Sequence, residues 1–535
     1  MAQSGTGPPS PLASSDGDSP LRRAELLAAL SLAADLGTGQ PIENAQRTAI
    51  LTVALGRAAE LAPRDLKDAY YLAFLRNVGC TADAPIEAEL FGGDEIAARG
   101  WLALSDWGKP SEVVRLLARK IGAGQSALRR WRLMMKLYLQ MSRLNGTAVS
   151  HCEVAQSLAD DLGCSVRVRE ALGHSFERWD GKGFPRKKKG GAIALAMRVV
   201  QVADEAQAFH RLGGVDATVA MLAARAGKGL DPTLAATMRA GAAELLASLD
   251  VPSVWDAAIA AEPGPPDFVA ADAVDDALQA MGAFADLKSS YTRGHSKGVA
   301  ELAAAAAETL GLAPEAVAEV RRAGYVHDVG RAGVSAGVWE KVGPLTDGEW
   351  EKVRMHAQYT ERILARPPLL ARLGTMGALD HERLDGTGYP HRMSAAALAA
   401  GARVLAAADM YQAMRETRPH RRAVPREEIA ATLEREAEAG RLDPSAVRAV
   451  LMAAGHRVER GRVRRHGHPG GLSDREVEVL QLVSRGFTDK EVAAKLEIPA
   501  RTVGNHLAHA YEKIGVTTRA GAAMFAMKNG IVGAV

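Results

Sequence analysis

Seven side chains in the later part of the chain are of the kinds that hold transition metals. They are His295, the adjacent pair His327 and Asp328, His356, the adjacent pair Asp380 and His381, and Asp409. Imidazoles and carboxylates suit iron, manganese, zinc or nickel, not a structural thiolate site. A carboxylate has two oxygens, so Asp328 could bridge two ions while His327 binds one of them. Two ions about 3.5–4 Å apart could deprotonate a shared water and neutralise charge on a phosphoryl oxygen. That is the chemistry of phosphate-ester hydrolysis. A single histidine in a helix is more often a surface or hydrogen-bonded residue. The expectation therefore rests on the set and not on any one member.

The elements that must position these groups occur twice. Glu177–Pro185 (ERWDGKGFP) returns as Glu382–Pro390 (ERLDGTGYP), and Asp204 and Asp409 follow in similar company. His151 and His356 stand the same distance before Asp180 and Asp385. Further upstream, Leu75–Gly79 falls where Val326–Gly330 falls, but at a different register, so the first half carries an extra stretch within 81–145. Both halves read as helical. An apolar stripe runs from Val299 through Leu302, Ala303, Ala306 and Leu310 and stops at Gly311. Pro314 suits a first helical turn, and Thr346-x-x-Glu349 is a capping box that opens the helix carrying His356. The Asp-Gly-Thr-Gly-Tyr-Pro loop cannot be regular helix. The expected fold class is all-α: two helical bundles in tandem and a small helical tail domain.

The motifs of the second half are specific together. YTRGHS (Tyr291–Ser296), HDVGRAGV (His327–Val334), His356, DHERLDGTGYP (Asp380–Pro390) and ARVLAAADMYQAM (Ala402–Met414) resemble those of an HD-GYP domain, a branch of the HD-type metal-dependent phosphohydrolases. The resemblance covers 286–455. It implies a centre of two divalent ions, iron or manganese, and hydrolysis of cyclic di-GMP. By position it implies one metal site from His295, His327, Asp328 and Asp409, and another from Asp328, His356, Asp380 and His381. Asp328 and Arg331 would be catalytic, with Arg331 steadying a phosphate, and Gly388, Tyr389 and Pro390 would lie near the substrate. The chain departs from the family in having Asp380 in place of a histidine, Arg331 in place of a lysine and Gln412 in place of an aspartate. Tyr291 stands where some members carry a glutamate for a third metal, so two ions at most are expected.

Mapping the repeat gives the first half, 21–260, a depleted set. Asn44 replaces His295, Arg76–Asn77 replace His327–Asp328, and Ser175–Phe176 replace Asp380–His381, while His151 and Asp204 survive. Arg76 puts a positive charge where a divalent cation would sit. This half is expected to be pseudo-catalytic, serving as a packing partner or as a cleft for a signal.

The tail, 472–535, opens helices at Ser473-x-x-Glu476 and Thr488-x-x-Glu491. Its sequence resembles the LuxR-type DNA-binding domain along nearly its whole length. The resemblance makes 500–514 a recognition helix in the major groove of double-stranded DNA. Arg501, Thr502, Asn505, His506 and His509 would face bases or phosphates. Thr488, Lys490 and Lys513 would hold phosphates, and the last helix would form a homodimer.

Composition sets the outer bounds. The 535 residues carry 66 Lys and Arg against 63 Asp and Glu, so nucleic-acid contact must be local. Three cysteines make no disulfide framework. No apolar run is long enough for a membrane span, and 1–20 reads as a disordered tail, so the expected location is the cytoplasm. The segments 261–285 and 456–471 read as linkers, the second one basic. The leading expectation is a bacterial regulator that joins cyclic di-GMP hydrolysis to transcription. The alternatives are a nucleotide-sensing transcription factor without turnover, and a hydrolase of another phosphorylated nucleotide.

Overall fold

A computed structural model describes residues 20–123, 126–457, 472–496, 498–529 and 531. Residues 1–19 of the expected tail (1–20) and 458–471 of the expected basic linker (456–471) lie outside the described residues. The fold class is all-α: the regular elements among the described residues are all helices, and strand-like pairing is limited to isolated bridges such as Arg22 with Phe268. None of the described helices is long and apolar enough to cross a membrane. The chain divides into two compact units, Met1–His456 and Arg457–Val535.

The repeat is visible in the first unit helix by helix. Helices Arg23–Thr38, Asn44–Ala58 and Pro63–Leu75, with the 3₁₀ turn Val78–Thr81, return as Val274–Asp286, His295–Thr309, Pro314–Val326 and the turn Val329–Gly333. Pro63 and Pro314 each open a helix, where the missing N–H costs nothing. Helices Met141–Asp161 and Leu195–Arg225 return as Asp347–Leu364 and Ala400–Arg415. One close approach recurs as well. Gly79 packs against the carbonyl of His151, and Gly330 packs against that of His356. A Cβ at either glycine would collide with backbone, so the turn and the histidine helix are held at a fixed distance.

Two helices bind the halves into one body. Leu26, Leu27 and Leu30 of the first helix are fully buried, as are Leu278, Met281 and Phe284 of Val274–Asp286. A helix that is apolar on most of its circumference belongs inside a core. Each of the two packs on the turn of the opposite half as well as on its own half, and Gly37 lies where a Cβ would be 3.3 Å from the Ala332 carbonyl. The segment 261–285, expected as a linker, is therefore corrected from Val274 onward. Once wound, its alanine-rich sequence places Ala277, Leu278, Met281, Phe284 and Ala285 toward other helices, and their burial outweighs the linker-like composition.

The extra stretch of the first half forms helices Ala84–Phe91, Glu95–Leu102, Pro110–Lys120 and Ala127–Leu139. They share a small core of Leu90, Phe91, Leu102, Val113, Leu117, Ile121 and Leu137. The insertion reaches the second half through Glu95, which is fully buried. Its carboxylate meets Lys288 Nζ at 2.7 Å and accepts from Ser335 Oγ at 2.6 Å and the Ala336 N–H at 2.9 Å. Burial alone would raise the Glu95 pKa, but Lys288 and these donors hold it below the usual value.

In the second unit, helices Asp474–Ser484, Asp489–Leu496, Ala500–Ile514 and Arg519–Lys528 enclose two small apolar clusters. Val479, Val492 and Val503 are fully buried in one of them, and Leu480, Ala510 and Ala522 in the other. The Ser473–Glu476 capping box is made in both directions, and Gly515 closes the third helix in the left-handed region.

Candidate metal centre

All seven metal-ligand candidates of the second half converge, each from a different place in the bundle. His295 opens its helix, and His327 and Asp328 sit at the end of Pro314–Val326, just before the 3₁₀ turn. His356 lies mid-helix, Asp380 and His381 follow Pro368–Gly377, and Asp409 lies on Ala400–Arg415. His295, His327 and Asp409 form one group whose potential ligand atoms lie within 4.8 Å of one another, and His356, Asp380 and His381 form another.

Asp328 stands between the two groups. Its Oδ2 is 3.6 Å from His295 Nε2 and 3.5 Å from His327 Nε2, and its Oδ1 is 3.4 Å from His356 Nε2. The two oxygens of one carboxylate thus face different groups. His295 Nε2 is 3.2 Å from Asp409 Oδ1, and His381 Nε2 is 3.1 Å from His356 Nε2 and 3.3 Å from Asp380 Oδ2.

The donors fit metal ions on a second ground. His327 Nε2 and both carboxylate oxygens of Asp380 are buried without a hydrogen bond. Leaving such groups unmet is costly, and a cation among them removes the cost. The far ring nitrogens are oriented as metal-binding imidazoles usually are. His327 Nδ1 lies 2.8 Å from the Gly324 carbonyl, His356 Nδ1 faces the Val353 carbonyl, and His295 Nδ1 is 3.1 Å from Glu416 Oε1.

Protonation states follow from this crowding. Burial works against charge on His295, yet Asp409 and Glu416 lift its pKa to about 9. Against the same burial, Asp328 and Asp409 lift His327 to about 10. In the other group burial prevails: it drives His381 down to about 3 and lowers His356. Asp380 is raised well above the usual carboxylate range by burial and by Asp409. In the metal-free protein, protons take up the charge balance that divalent ions would otherwise provide.

Around the ligands stand residues that spacing alone did not reveal. Glu416 also accepts from Gln412 Nε2 and Arg418 Nη2, each at 2.8 Å. It lies just past the helix carrying Asp409, and no spacing pattern marks it. Buried Asp286 accepts from the Ser296 N–H at 3.0 Å and from its hydroxyl at 2.7 Å, which fixes the start of the His295 helix. The first half repeats this with Asp35 and the Ala45 N–H. Thr360 donates to the His327 carbonyl at 2.8 Å and accepts from the Gly330 N–H at 3.0 Å, bracing the turn after Asp328.

Arg331 is buried, donates to Asp328 Oδ2 at 2.7 Å, and lies 4.1 Å above the Trp339 ring. Tyr389 stacks on the His381 ring with centroids 4.7 Å apart. Its loop is drawn in by Glu382, which accepts from the His391 N–H at 2.6 Å and the Met393 N–H at 2.9 Å. Gly388 packs against Glu382 and Arg383 with no room for a Cβ, and Pro390 follows Tyr389 through a cis bond.

The corresponding region of the first half is arranged differently. Arg76 pairs with Asp204, which also accepts from Thr48 Oγ1 at 3.1 Å and Asn44 Nδ2 at 3.4 Å. His151 Nε2 lies 2.9 Å from the Arg76 carbonyl, and Phe176 packs on its ring.

In the second unit, Arg501, Asn505 and His509 are exposed at helical spacing on one face of Ala500–Ile514, with Thr502 and His506 half-buried beside them. Lys490 is exposed. Thr488 caps its helix through Glu491. Lys513 donates to buried Glu476 at 2.7 Å, tying the third helix to the first.

Comparison with known proteins agrees with this architecture. The HD domain family matches residues 146–234 and 271–446, and the luxR family of bacterial regulatory proteins matches 471–526. A 3'3'-cGAMP-specific phosphodiesterase of Vibrio cholerae is 28% identical over 415 residues, which is 77% of this chain and 90% of that protein. A cyclic di-GMP phosphodiesterase of Thermotoga maritima is 31% identical over 34% of this chain and 49% of its own length. Another from Pseudomonas aeruginosa is 36% identical over 31% of this chain and 40% of its own length. The crystal structure of a cyclic GMP-AMP specific phosphodiesterase from V. cholerae shares the fold, with TM-score 0.55 and 24% identity over 82% of this chain and 98% of that one. The chain belongs to the HD-domain family of metal-dependent phosphohydrolases, with two HD-type halves joined to a LuxR-family domain.

Proposed function

We propose that the second half hydrolyses a phosphodiester of a cyclic dinucleotide, cyclic di-GMP first among them, and that the tail binds double-stranded DNA to regulate transcription. The observation that carries the first part is Asp328, whose two oxygens face two separate groups of imidazole and carboxylate donors. His295, His327, Asp328 and Asp409 would hold one divalent ion, and Asp328, His356, Asp380 and His381 the other, with iron or manganese favoured by the N/O donor set. Such ions, when bound, supply acidity to water and neutralise charge on the phosphoryl group. Arg331 donates to the Asp328 carboxylate and would keep further N–H donors for a phosphate oxygen. Tyr389, stacked on His381, with Gly388 and Pro390, would offer a surface on which a base could rest.

A second substrate, 3'3'-cGAMP, is favoured by one observation: the V. cholerae relative that matches along most of this chain is specific for it. Metal analysis of purified protein, with both dinucleotides assayed beside a His327→Ala, Asp328→Ala double variant, tests the reading. We expect near two ions per chain, turnover of at least one dinucleotide, and loss of both ions and turnover in the variant. Binding of nucleotide by metal-loaded wild type without any product would instead make this half a sensor.

For the tail, Arg501, Asn505 and His509 would reach base edges, and Lys490 and Thr488 the backbone, with Thr502, His506 and Lys513 flanking. The protein would act in the cytoplasm as a homodimer. Gel-shift titration of promoter fragments with Arg501→Ala beside wild type tests this part, and equal affinity for every fragment would exclude sequence-specific regulation.

A further inference from the structure

The first half encloses a cavity of about 340 Å³ where the second half gathers its metal ligands. Its lining has two origins. The repeat supplies Arg76, Phe176 and Asp204, and the insertion found only in this half supplies Phe91, Leu102 and Trp107. Sites of this size, walled by aromatic side chains with a few polar groups, are the usual form of a small-molecule pocket. Phe176 and Trp107, 38% and 48% exposed, leave ring surface open at the cavity.

The arginines within it are already matched. Arg76 pairs with Asp204, Arg99 with Glu87 at 2.7 Å, Arg178 with Asp106 at 2.9 Å, and Arg225 with Glu205 at 2.8 Å. Glu177 is taken up by the Arg186 and Lys188 N–H groups. Asp83 adds a further acid to the lining, which disfavours an anion. An anionic ligand would have to break one of these partly buried pairs, at the expense of leaving its partner unmet. The metal centre is the opposite case, since there buried atoms stand without hydrogen bonds.

We infer that the degenerate half is a binding site for a neutral, planar aromatic small molecule, seated between Phe176 and the insertion wall. This inference is independent of turnover in the second half. The replacement of metal ligands then has a further consequence: it turns a cation-demanding cleft into one whose arginines are internally paired.

The test titrates N-phenyl-1-naphthylamine, a neutral dye that brightens on leaving water, into the full chain. Saturable one-to-one binding is expected, with neutral quinoline displacing the dye and quinoline-2-carboxylate at least about tenfold weaker, because the carboxylate would lack a free partner. Phe176→Asp, which places a charge in the pocket, and Ala208→Trp, which fills it, should each weaken binding about tenfold or more. His327→Ala should leave the affinity unchanged, as should Leu139→Asp on the exposed face of the insertion. Non-saturable binding, equal affinity in both pocket variants, or loss of binding in Leu139→Asp or His327→Ala would overturn the proposal.

Discussion

The two halves of the first unit share a backbone plan and differ in how their polar atoms are satisfied. In the second half, three buried carboxylates and four imidazoles crowd together with His327 Nε2 and both oxygens of Asp380 unmet. In the first half the same positions are closed by an arginine, two amides and a phenyl ring, and Asp204 has its partners in Arg76, Thr48 and Asn44. A helical scaffold therefore tolerates either arrangement. A site for cations is recognised by its unmet valence, and a retired one by its internal pairing.

The largest effect should come from the residue on which the two metal groups converge. Asp328→Ala is expected to remove both ions and all turnover, while the equivalent Asn77→Ala should leave both at wild-type level. Metal content and a hydrolysis assay on the two variants decide this, and an effect of similar size in Asn77→Ala would break the contrast. Next in size is the contact that joins the halves. Glu95→Ala leaves the Lys288 ammonium buried without its carboxylate, and should cost about 3–5 kcal/mol in denaturant unfolding. The double change Glu95→Ala, Lys288→Met should recover most of that loss.

Glu416→Gln sharpens the comparison further, because the first half has no counterpart of this support. Removing the charge behind His295 should weaken metal affinity about 10–100-fold with little change in fold, measured by competition with a chelator. The smallest effect is one of protons. At pH 7.5, His295 and His327 carry protons in the metal-free protein, since their pKa values lie near 9 and 10. Loading with Mn²⁺ must expel them, so calorimetry in buffers of different ionisation enthalpy should report proton release, and affinity should fall as pH falls. Because these pKa values are raised above the unfolded value of about 6.5, their contribution to the stability of the metal-free fold is complete below that pH. It should fade as pH rises through about 9–10.

Much of this was legible in the order of residues. The candidate ligands stood out because the repeat displays each position twice and because His295 follows Gly294 at the opening of its helix. Gly330 is tied to His356 by a contact with no space for a side chain, so motif and geometry coincide. Other parts were silent for physical reasons. Glu416 acts across a turn on the far nitrogen of His295, and a lone glutamate past a helix end has no pattern of its own. Helix Val274–Asp286 lay hidden in a presumed linker because alanine and glycine dilute its apolar face, and its burial depends on a partner half that is distant in sequence. The contact of Lys513 with Glu476 was equally hidden, since the two lie 37 residues apart in sequence.

The buried Glu95–Lys288 contact has a practical outcome for anyone who would study the catalytic portion by itself. A fragment starting near Val274 would keep Lys288 but lose the Glu95 carboxylate that meets it. The contact makes the first half a standing counter-ion for the second.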